Sequence, residues 1–392
     1  MAKKPTDTSK QAIALHKKLG GKIRITPAQP VRNRAELSLV YTPGVAAVST
    51  LVAGTKQTKK PLDEQQKLAR EYTVKKRLIA VISDGSAVLG LGNIGPYGAL
   101  PVMEGKAALF KAFADVDAVP ITLATQQTDE IVETIINIAP AFGGINLEDF
   151  AAPQCFEIEA RVKEALNIPV MHDDQHGTAI AVYAALLNAA KVTKREFKKM
   201  RVVISGAGAA GTAIAKLLIL GGVKDILVLD SKGVINKRRK DLNLFKQELA
   251  TITNPMGVEG DLSQALGGAD AFVGVSAPNS MTVEQVKLMD KNPIVFALAN
   301  PVPEIMPEEA KKGGAAIIAT GRSDYPNQIN NSLVFPGVFR GALDNKVSKI
   351  TDEMKIKAAH NLAALVKRPT AEKIIPGPFE KGIAKAVAKA IK

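Results

Sequence analysis

The chain of 392 residues has little cysteine and few aromatic residues: one Cys, no Trp and five Tyr. The single cysteine, Cys155, excludes an intramolecular disulfide and favours a reducing compartment. The N-terminal lysines precede no apolar segment of the kind that secretory signals contain. No uninterrupted apolar run reaches the eighteen or so residues that a membrane-spanning helix requires. We therefore expect a cytoplasmic protein without a membrane partner.

Acidic residues are also scarce relative to basic ones, with 38 Asp and Glu against 52 Lys and Arg, a net charge of +14. Such an excess is typical of proteins that bind nucleic acids. Here the basic residues are spread along the chain, and few aromatic side chains are available to stack on bases. We favour a soluble enzyme with lysine-covered helices and a small anionic substrate, and we predict no nucleic-acid partner.

The length exceeds what one hydrophobic core usually serves, so we expect two domains. In the first part, we expect a helix from about Ser9 to Leu19, then sequence typical of loops up to Pro61. "RLIAVIS" (77–83) is typical of a strand, and another helix is expected from about Glu104 to Phe113. From about Pro169, apolar strands alternate with helices of ten or so residues, the pattern of βαβ units in a parallel sheet. The prediction is an α/β protein with an N-terminal α/β domain (1–162) and a C-terminal Rossmann-type, doubly wound parallel-sheet domain (163–392).

The G-x-G-x-x-G spacing of a dinucleotide-binding turn occurs twice, at residues 90–95 and 206–211. The second copy follows the strand "VVIS" and precedes a stretch that can form a helix, whose first amides would face a pyrophosphate. The next strand ends in Asp230, which is placed to bind the ribose hydroxyls. We therefore predict that the cofactor contacts Asp230 and the residues of the turn, which are Gly206, Ala207, Gly208, Ala209, Ala210 and Gly211.

The first copy precedes Pro96, Gly98, Pro101 and Gly105, which we expect to break any helix for ten residues. Without a helix N-terminus nearby, this turn would not receive a phosphate. Its glycines are predicted to serve tight turns and close backbone approach instead.

The choice between the two nicotinamide cofactors stays open. Asp230 favours NAD, because a carboxylate repels the 2′-phosphate of NADP. However, Lys232 follows closely, and Arg238 or Arg239 would be able to reach a phosphate. We favour NAD slightly.

Two pairs of adjacent acids lie between the glycine turns, Glu148-Asp149 in "INLEDF" and Asp173-Asp174 in "MHDDQHGT". Carboxylate oxygens suit a hard cation such as Mg²⁺ or Mn²⁺. The alternative is that exposed loops simply collect acids.

Two histidines with the spacing of a zinc motif, His172 and His176, flank the second pair of acids. Zinc would require both histidines on one helix. Because the helix is expected to begin near Gln175, we disfavour zinc.

Several longer motifs together resemble malic enzymes of the small bacterial type, in order from about residue 10 to the end of the chain. They are "VYTPGVA" (40–46), "SDGSAVLGLGNIG" (83–95), "PVMEGKAALF" (101–110), "NLEDF" (146–150), "HDDQHGTA" (172–179), "ANPVPEI" (299–305) and "ATGRSDYPNQINNSLVFPGVFRGALD" (319–344). The resemblance implies oxidation of malate with NAD(P)⁺ and decarboxylation of the bound oxaloacetate to pyruvate. It also implies a divalent metal and a homodimer.

The resemblance also implies roles for individual residues. Tyr41 would be the general acid that protonates C3, and Lys106 the general base that binds substrate and takes the proton of the C2 hydroxyl. Asn300 would contact nicotinamide and substrate, and Asn331 substrate. The metal ligands would be Glu148, Asp149 and Asp174. A lysine acts as a base near neutral pH only if burial or a cation lowers its pKa, so we expect a lowered pKa for Lys106.

The sequence departs from the family pattern in two places. The longer malic enzymes use an arginine upstream of the "DGS" turn to hold a substrate carboxylate, and no residue here matches it. Asn279 stands where a glycine is expected. A soluble oxaloacetate decarboxylase or a malolactic enzyme would use the same scaffold. The short chain is expected to disfavour the malolactic alternative.

Overall fold

Two parallel β-sheets organise the computed structural model, which describes residues 6–19, 21–88 and 90–392. The first sheet has the strand order β2-β1-β3-β4. The elements up to its last strand are α1 (Thr6–Leu19), α2 (Arg34–Val40), α3 (Gly44–Ala53), α4 (Leu62–Tyr72), β1 (Leu78–Ser83), α5 (Gly95–Ala114), β2 (Asp117–Thr122), α6 (Thr128–Ile138), β3 (Gly144–Leu147), α7 (Gln154–Ala165) and β4 (Val170–His172).

The second sheet has the strand order β10-β9-β8-β5-β6-β7, in which only β7 is antiparallel. Its elements are α8 (Asp173–Val192), β5 (Arg201–Ser205), α9 (Ala209–Leu220), β6 (Asp225–Asp230), β7 (Gly233–Val234), α10 (Leu244–Ile252), α11 (Leu262–Leu266), β8 (Ala271–Gly274), α12 (Val283–Lys287), β9 (Ile294–Ala297), α13 (Pro307–Lys312), β10 (Ile317–Thr320), α14 (Phe335–Asp344), α15 (Asp352–Ala363) and α16 (Ile383–Ala388). The order reverses between β5 and β8, where ligands bind in such sheets. The predicted α/β fold with a Rossmann-type sheet is confirmed.

Helix α8 joins the two sheets through one hydrophobic core. Its middle, from Ala179 to Ala190, is almost entirely buried. The same core includes Ile79 and Val81 of the first sheet and Val202 of the second. The two sheets therefore have a fixed relation to each other. The domain boundary after residue 162 stays a prediction, and β4, which follows it, pairs with β3 of the first sheet.

Two regions expected to lack helices are helical. Helix α5 begins at Gly95, directly after the first glycine motif, and contains Pro96 and Pro101. Pro96 lies in the first turn, where its missing N–H has no partner to lose. Pro101 removes one internal hydrogen bond, but Met103, Lys106 and other buried side chains of the same helix supply the packing that holds it. The expectation that no helix N-terminus lies near this motif is therefore wrong.

The second unexpected helical region precedes Pro61, where helices α2 and α3 replace the expected loop. The segment Arg34–Ala53, 20 residues with a mean hydropathy of 1.3, is long and apolar enough to cross a membrane by length and composition alone, although Glu36 and other polar residues interrupt it. However, the turn at Tyr41-Thr42-Pro43 divides it into two helices. None of its residues is buried.

Candidate active site

Three carboxylates from neighbouring strand ends of the first sheet form a compact cluster. Glu148 and Asp149 directly follow β3, and Asp174 lies two residues after β4, so the parallel pairing of β3 with β4 brings them to one edge. One oxygen of each lies within 4.8 Å of the others. Asp149 adopts a left-handed backbone (φ 56°), and its N–H donates to Asp174 Oδ2 at 2.8 Å. The sequence predicted this convergence of acids.

The electrostatics of the cluster suit a divalent cation. Burial raises the pKa of Glu148 well above its usual value, against the opposing effect of Lys106, and the neighbouring Asp174, Asp173 and Asp149 raise it further. A cation bound among these carboxylates would relieve their mutual repulsion. The donor set consists of oxygen atoms alone, which fits Mg²⁺ or Mn²⁺. The residues present therefore fit a metal of this class.

Helix α5 places Lys106 against the same cluster. Its ammonium group lies 2.9 Å from Glu148 Oε1, donates to Asp173 Oδ2, and lies 4.3 Å from the centre of the Phe335 ring. Burial alone would lower the pKa of Lys106, but Asp173, Glu148 and Asp174 outweigh it and raise this pKa above its ordinary value. The expected lowered pKa is therefore wrong for the protein without a metal. The charged ammonium neutralises part of the acid cluster.

Asn331 lies close to Asp173 because the residue between them, Gly177, has no side chain. A Cβ on Gly177 would lie 1.9 Å from Asp173 Oδ1 and 2.9 Å from Asn331 Cβ. No other residue type fits this gap without displacing one of the two. The structure thus brings Asn331 into the group that contains Lys106 and Asp173.

Asn300 lies against the first glycine motif, which explains the role of that motif. A Cβ on Gly90 would lie 2.7 Å from the Asn300 carbonyl oxygen, and one on Gly321 would lie 2.4 Å from Asn300 Nδ2. Gly90 also has a positive φ of 73°. The first motif therefore allows a close approach between the loop after β1 and the Asn300 loop after β9.

The structure does not bring Tyr41 into contact with these residues. Tyr41 is the C-cap of α2, and 66 % of its surface is exposed. Among the described residues, no side-chain hydrogen bond or ion pair joins Tyr41 to Lys106 or to the acids. Its expected role in catalysis stays a prediction.

The second glycine motif forms the turn between β5 and α9. Gly206 has a positive φ of 117°, and a Cβ there would lie 2.5 Å from the Val275 carbonyl oxygen. A Cβ on Gly211 would lie 1.7 Å from the Gly206 carbonyl oxygen. The turn borders a cavity of about 590 Å³ that Asp230, Phe156 and other residues also line. The cavity is large enough for a substantial part of a dinucleotide.

Asp230 is ionised and surrounded by cations of this chain. Arg239 donates to both of its oxygens at 2.7 and 3.1 Å, and Lys246 donates to Oδ2 at 2.6 Å. Burial would raise the pKa of Asp230, but these bonds lower it to about 2. Of the two candidate arginines, Arg239 is the one that reaches this position, while Arg238 pairs with Glu259.

The two histidines that have the spacing of a zinc motif flank the Asp173-Asp174 pair. His172 precedes α8 and His176 lies in its first turn, and their Nε2 atoms face Asp174 and Glu159 respectively. The two rings do not face one ligand position, which agrees with the expectation of no zinc site.

Asn279, which stands where a glycine is expected, has a φ of 55°. Asparagine adopts this left-handed conformation more readily than most other non-glycine residues, which explains how it replaces glycine here.

Sequence reasoning missed two buried glutamates. Glu304 accepts hydrogen bonds from the backbone N–H groups of Ser276 and Ala299, which joins the loops after β8 and β9. Glu159 lies on the buried face of α7 and accepts a hydrogen bond from the backbone N–H of His172, the last residue of β4. An acid on an otherwise apolar helix face was the available signal, since Ile158 and Val162 are buried with Glu159.

Comparisons with known proteins agree with this architecture. The family model of the malic enzyme N-terminal domain matches residues 20–163, and that of the malic enzyme NAD binding domain matches residues 175–391. A bifunctional malic/malolactic enzyme of Bacillus subtilis is 51% identical over 97% of this chain and 91% of its own. An NAD-dependent malic enzyme of Geobacillus stearothermophilus is 50% identical over 99% of this chain and 79% of its own.

Solved structures show the same similarity. The crystal structure of an NAD-dependent malic enzyme from Thermotoga maritima superimposes with a TM-score of 0.91 at 49% identity, covering 97% of this chain and 98% of that one. The malic enzyme from Pyrococcus horikoshii gives the same score at 44% identity, covering 98% and 89%. Sequence and fold agree over almost the whole length, and the chain belongs to the malic enzyme family.

Proposed function

We propose that this protein catalyses the oxidative decarboxylation of L-malate to pyruvate and CO₂ with reduction of NAD(P)⁺. The observation that carries the proposal is the buried contact of Lys106 with Glu148 and Asp173 at the edge of the acid cluster. It places a proton-transfer group beside a candidate cation site. The family relationship and the cavity at the second glycine turn supply the context for the nicotinamide cofactor.

The candidate metal ligands are Glu148, Asp149 and Asp174, and the candidate ions are Mg²⁺ and Mn²⁺. When bound, the ion would polarise the C2 oxygen of the substrate and stabilise negative charge there, and the nicotinamide would accept the hydride from C2. Glu148 also links the candidate metal ligands to the Lys106–Asp173 pair, because Lys106 contacts Glu148 and Asp173 at once.

The protein's own residues would handle the protons and orient the substrate. Lys106 is the candidate base for the proton of the C2 hydroxyl and lies in a hydrogen-bonded pair with Asp173. A base must be neutral before it accepts a proton, and a cation among the acids would favour that form by offsetting the carboxylates that keep Lys106 charged. Tyr41 is the candidate donor of the proton to C3. The amides of Asn300 and Asn331 are candidates for orienting substrate and nicotinamide, since each side chain lies close to a glycine.

The dinucleotide would lie on the turn Gly206, Ala207, Gly208, Ala209, Ala210 and Gly211, with its adenosine ribose at Asp230. NAD⁺ is the preferred cofactor in this proposal, because Asp230 is ionised and accepts hydrogen bonds where the ribose hydroxyls would lie. Arg239 and Lys246 beside it supply positive charge that would make NADP⁺ a usable second cofactor.

The functional unit would be a homodimer in the cytoplasm. Helices α2 and α3 and the turn between them expose the large apolar side chains of Leu39, Tyr41, Val48 and Leu51, and neighbouring exposed apolar side chains are typical of protein–protein interfaces. A second copy of the chain would cover this surface and bury Tyr41. In sedimentation velocity, Leu39→Asp is expected to weaken the dimer, whereas Leu62→Asp, an equally exposed position on α4, is not. An unchanged dimer with Leu39→Asp would place the interface elsewhere.

Malolactic conversion of malate to lactate is the second candidate function. The Bacillus subtilis relative carries both names and is covered over 91% of its length, so the argument that a short chain disfavours malolactic activity is wrong. A soluble oxaloacetate decarboxylase would use the same acids and Lys106, and only its products separate it.

One assay distinguishes the three activities. The near-ultraviolet absorbance of the reduced cofactor is followed with L-malate and Mn²⁺, with NAD⁺ or NADP⁺, and with or without EDTA. Pyruvate formed with EDTA-sensitive cofactor reduction supports the proposal. Lactate without net reduction indicates malolactic activity, and loss of added oxaloacetate alone indicates a decarboxylase. Lys106→Met should abolish malate turnover, whereas Lys111→Met, on the exposed face of the same helix, should not.

A further inference from the structure

A buried carboxylate outside the acid cluster contacts the junction of β4 and α8, where Asp173 and Asp174 lie. Glu159 lies on α7 and is only 5% exposed. Removing a charged carboxylate from water is costly unless donors satisfy it. Here burial would raise its pKa, but His176 and Lys163 lower the pKa of Glu159 well below its usual value, so it is ionised at neutral pH.

Four donors surround the two oxygens of Glu159, and three of them come from the β4–α8 segment. The backbone N–H of His172 donates to Oε1 at 2.9 Å, Gln175 Nε2 donates to Oε2 at 3.3 Å, and His176 Nε2 donates to Oε2 at 2.9 Å. The fourth is Lys163, one turn further along α7, at 2.6 Å from Oε1. Glu159 thus binds the residues before and after the Asp173-Asp174 pair.

The hydrogen bond from Gln175 also determines which ring nitrogen of His172 carries the proton. An ionised carboxylate only accepts hydrogen bonds, so the NH₂ group of Gln175 must face Glu159. The same NH₂ group lies 3.1 Å from His172 Nδ1, which therefore accepts. The ring proton then resides on Nε2, since a neutral imidazole carries one.

The proton of His172 Nε2 faces Asp174. The distance from Nε2 to Asp174 Oδ2 is 3.3 Å, without the alignment of a full hydrogen bond, and no other described residue accepts this proton. Asp174 Oδ2 also accepts the Asp149 N–H at 2.8 Å. Both N–H groups therefore face Oδ2 of Asp174. Among the described residues no donor reaches Oδ1, which is left for a cation.

We infer that Glu159 is a positioning residue for the divalent-metal centre, acting through Gln175 and His172 on Asp174 and through the His172 backbone on the start of α8, which carries Asp173. The inference rests on the metal centre proposed above. Groups that orient metal ligands typically change metal affinity by about 10–100-fold when they are removed. A role limited to holding α7 against α8 would instead lower stability without a selective effect on the metal.

The test is direct Mn²⁺ binding to the protein without substrate, measured by isothermal titration calorimetry on the wild type and on Glu159→Gln. Glutamine keeps the shape of the side chain but removes the charge and one acceptor. We expect the Mn²⁺ dissociation constant to rise by about 10-fold or more. The NAD⁺ dissociation constant should change less than about twofold, because Glu159 does not line the cavity at the second glycine turn.

The matched control is Glu157→Gln. Glu157 lies on the same helix two residues earlier, is half exposed and pairs with Arg161. This variant should bind Mn²⁺ as the wild type does. Glu159→Asp, which restores the charge on a shorter side chain, should recover part of the affinity that Glu159→Gln loses.

A second variant addresses the case in which Glu159→Gln does not fold. Gln175→Leu keeps the volume and removes the link to His172, while the backbone and His176 bonds to Glu159 remain; it should also weaken Mn²⁺ binding. Mn²⁺ affinity within twofold of the wild type in the folded variants would overturn the inference. A wild-type protein that binds no Mn²⁺ would overturn the metal centre and this role together, so the two failures are distinguishable.

Discussion

Gly211 tests how tightly the second glycine turn is packed. In Gly211→Ala the new Cβ would lie 1.7 Å from the Gly206 carbonyl oxygen, whereas real Cβ atoms stay beyond 3.0 Å from such neighbours. Helix α9 and the turn must therefore separate by about 1.3 Å at least. Forcing extra atoms into a packed site usually costs about 1–3 kcal/mol. For a domain of this size we expect the melting temperature to fall by roughly 3–10 °C.

Gly208 supplies the matched control within the same turn. A Cβ there would meet nothing within 4 Å, and its φ of −87° suits any residue. Gly208→Ala should therefore leave the melting temperature of the cofactor-free protein within about 1 °C of the wild type. However, the second glycine of this motif lets the backbone approach the pyrophosphate, so the added methyl group should weaken NAD⁺ binding by about 10-fold or more.

Differential scanning calorimetry and isothermal titration calorimetry of both variants separate stability from binding. We expect Gly211→Ala to lose both and Gly208→Ala to lose only NAD⁺ binding. A wild-type melting temperature for Gly211→Ala would refute the packing argument. Wild-type NAD⁺ affinity for Gly208→Ala would show that no pyrophosphate lies on this turn.

Three further predictions concern buried or paired groups. The buried ammonium of Lys75 donates to two backbone carbonyls after α6. In urea unfolding, Lys75→Met should therefore lower the free energy of unfolding by roughly 2–4 kcal/mol, whereas Lys76→Met, at the exposed neighbouring position, should leave it almost unchanged. Equal effects of the two substitutions would refute this role of Lys75. Burial raises the pKa of Cys155 to about 12, so iodoacetamide at mildly alkaline pH should label only the unfolded protein, and rapid labelling of the native protein would contradict this burial. The pKa of Asp230 is lowered in the folded protein, so its charge stabilises the fold at any pH above the unfolded pKa of about 4, and this contribution disappears as the pH falls towards 2. The difference in unfolding free energy between the wild type and Asp230→Asn should therefore narrow between pH 4 and about pH 2. A constant difference over that range would contradict the pairing.

The parts of the fold that the sequence predicted are those with strong local signals. The strands of the second sheet are continuous apolar runs between helices, and β5, β6 and β8 lie where this pattern indicated. The acids Glu148 and Asp174 lie together because each follows a strand of one parallel sheet, and the carboxyl ends of such strands share an edge. The pattern of acids alone left this convergence open, and the resemblance to malic enzymes implied it.

Other features depended on packing that the sequence does not display. Proline and glycine content argued against a helix in the first ten residues of α5, but buried Met103 and Phe110 hold the helix through tertiary contacts. The pKa of Lys106 was expected to be lowered because a base near neutral pH requires it, and the carboxylates around Lys106 that raise its pKa were not foreseen. Glu159 was missed because its role depends on where α7 meets the junction of β4 and α8.

The two glycine motifs share one spacing and use it differently. In the first, Gly90, Gly92 and Gly95 all have positive φ, so the glycines are required for backbone conformation, and Gly90 also packs against the Asn300 loop. In the second, only Gly206 needs a positive φ, whereas Gly211 is required for space. Both motifs precede a helix, so the presence of a helix does not distinguish them. What distinguishes them is the surrounding cavity: the second turn borders the large cavity at the switch between β5 and β8, and no glycine of the first motif lines it. A glycine motif therefore indicates where the backbone turns sharply or approaches closely, and only its position in the sheet indicates whether a nucleotide binds there.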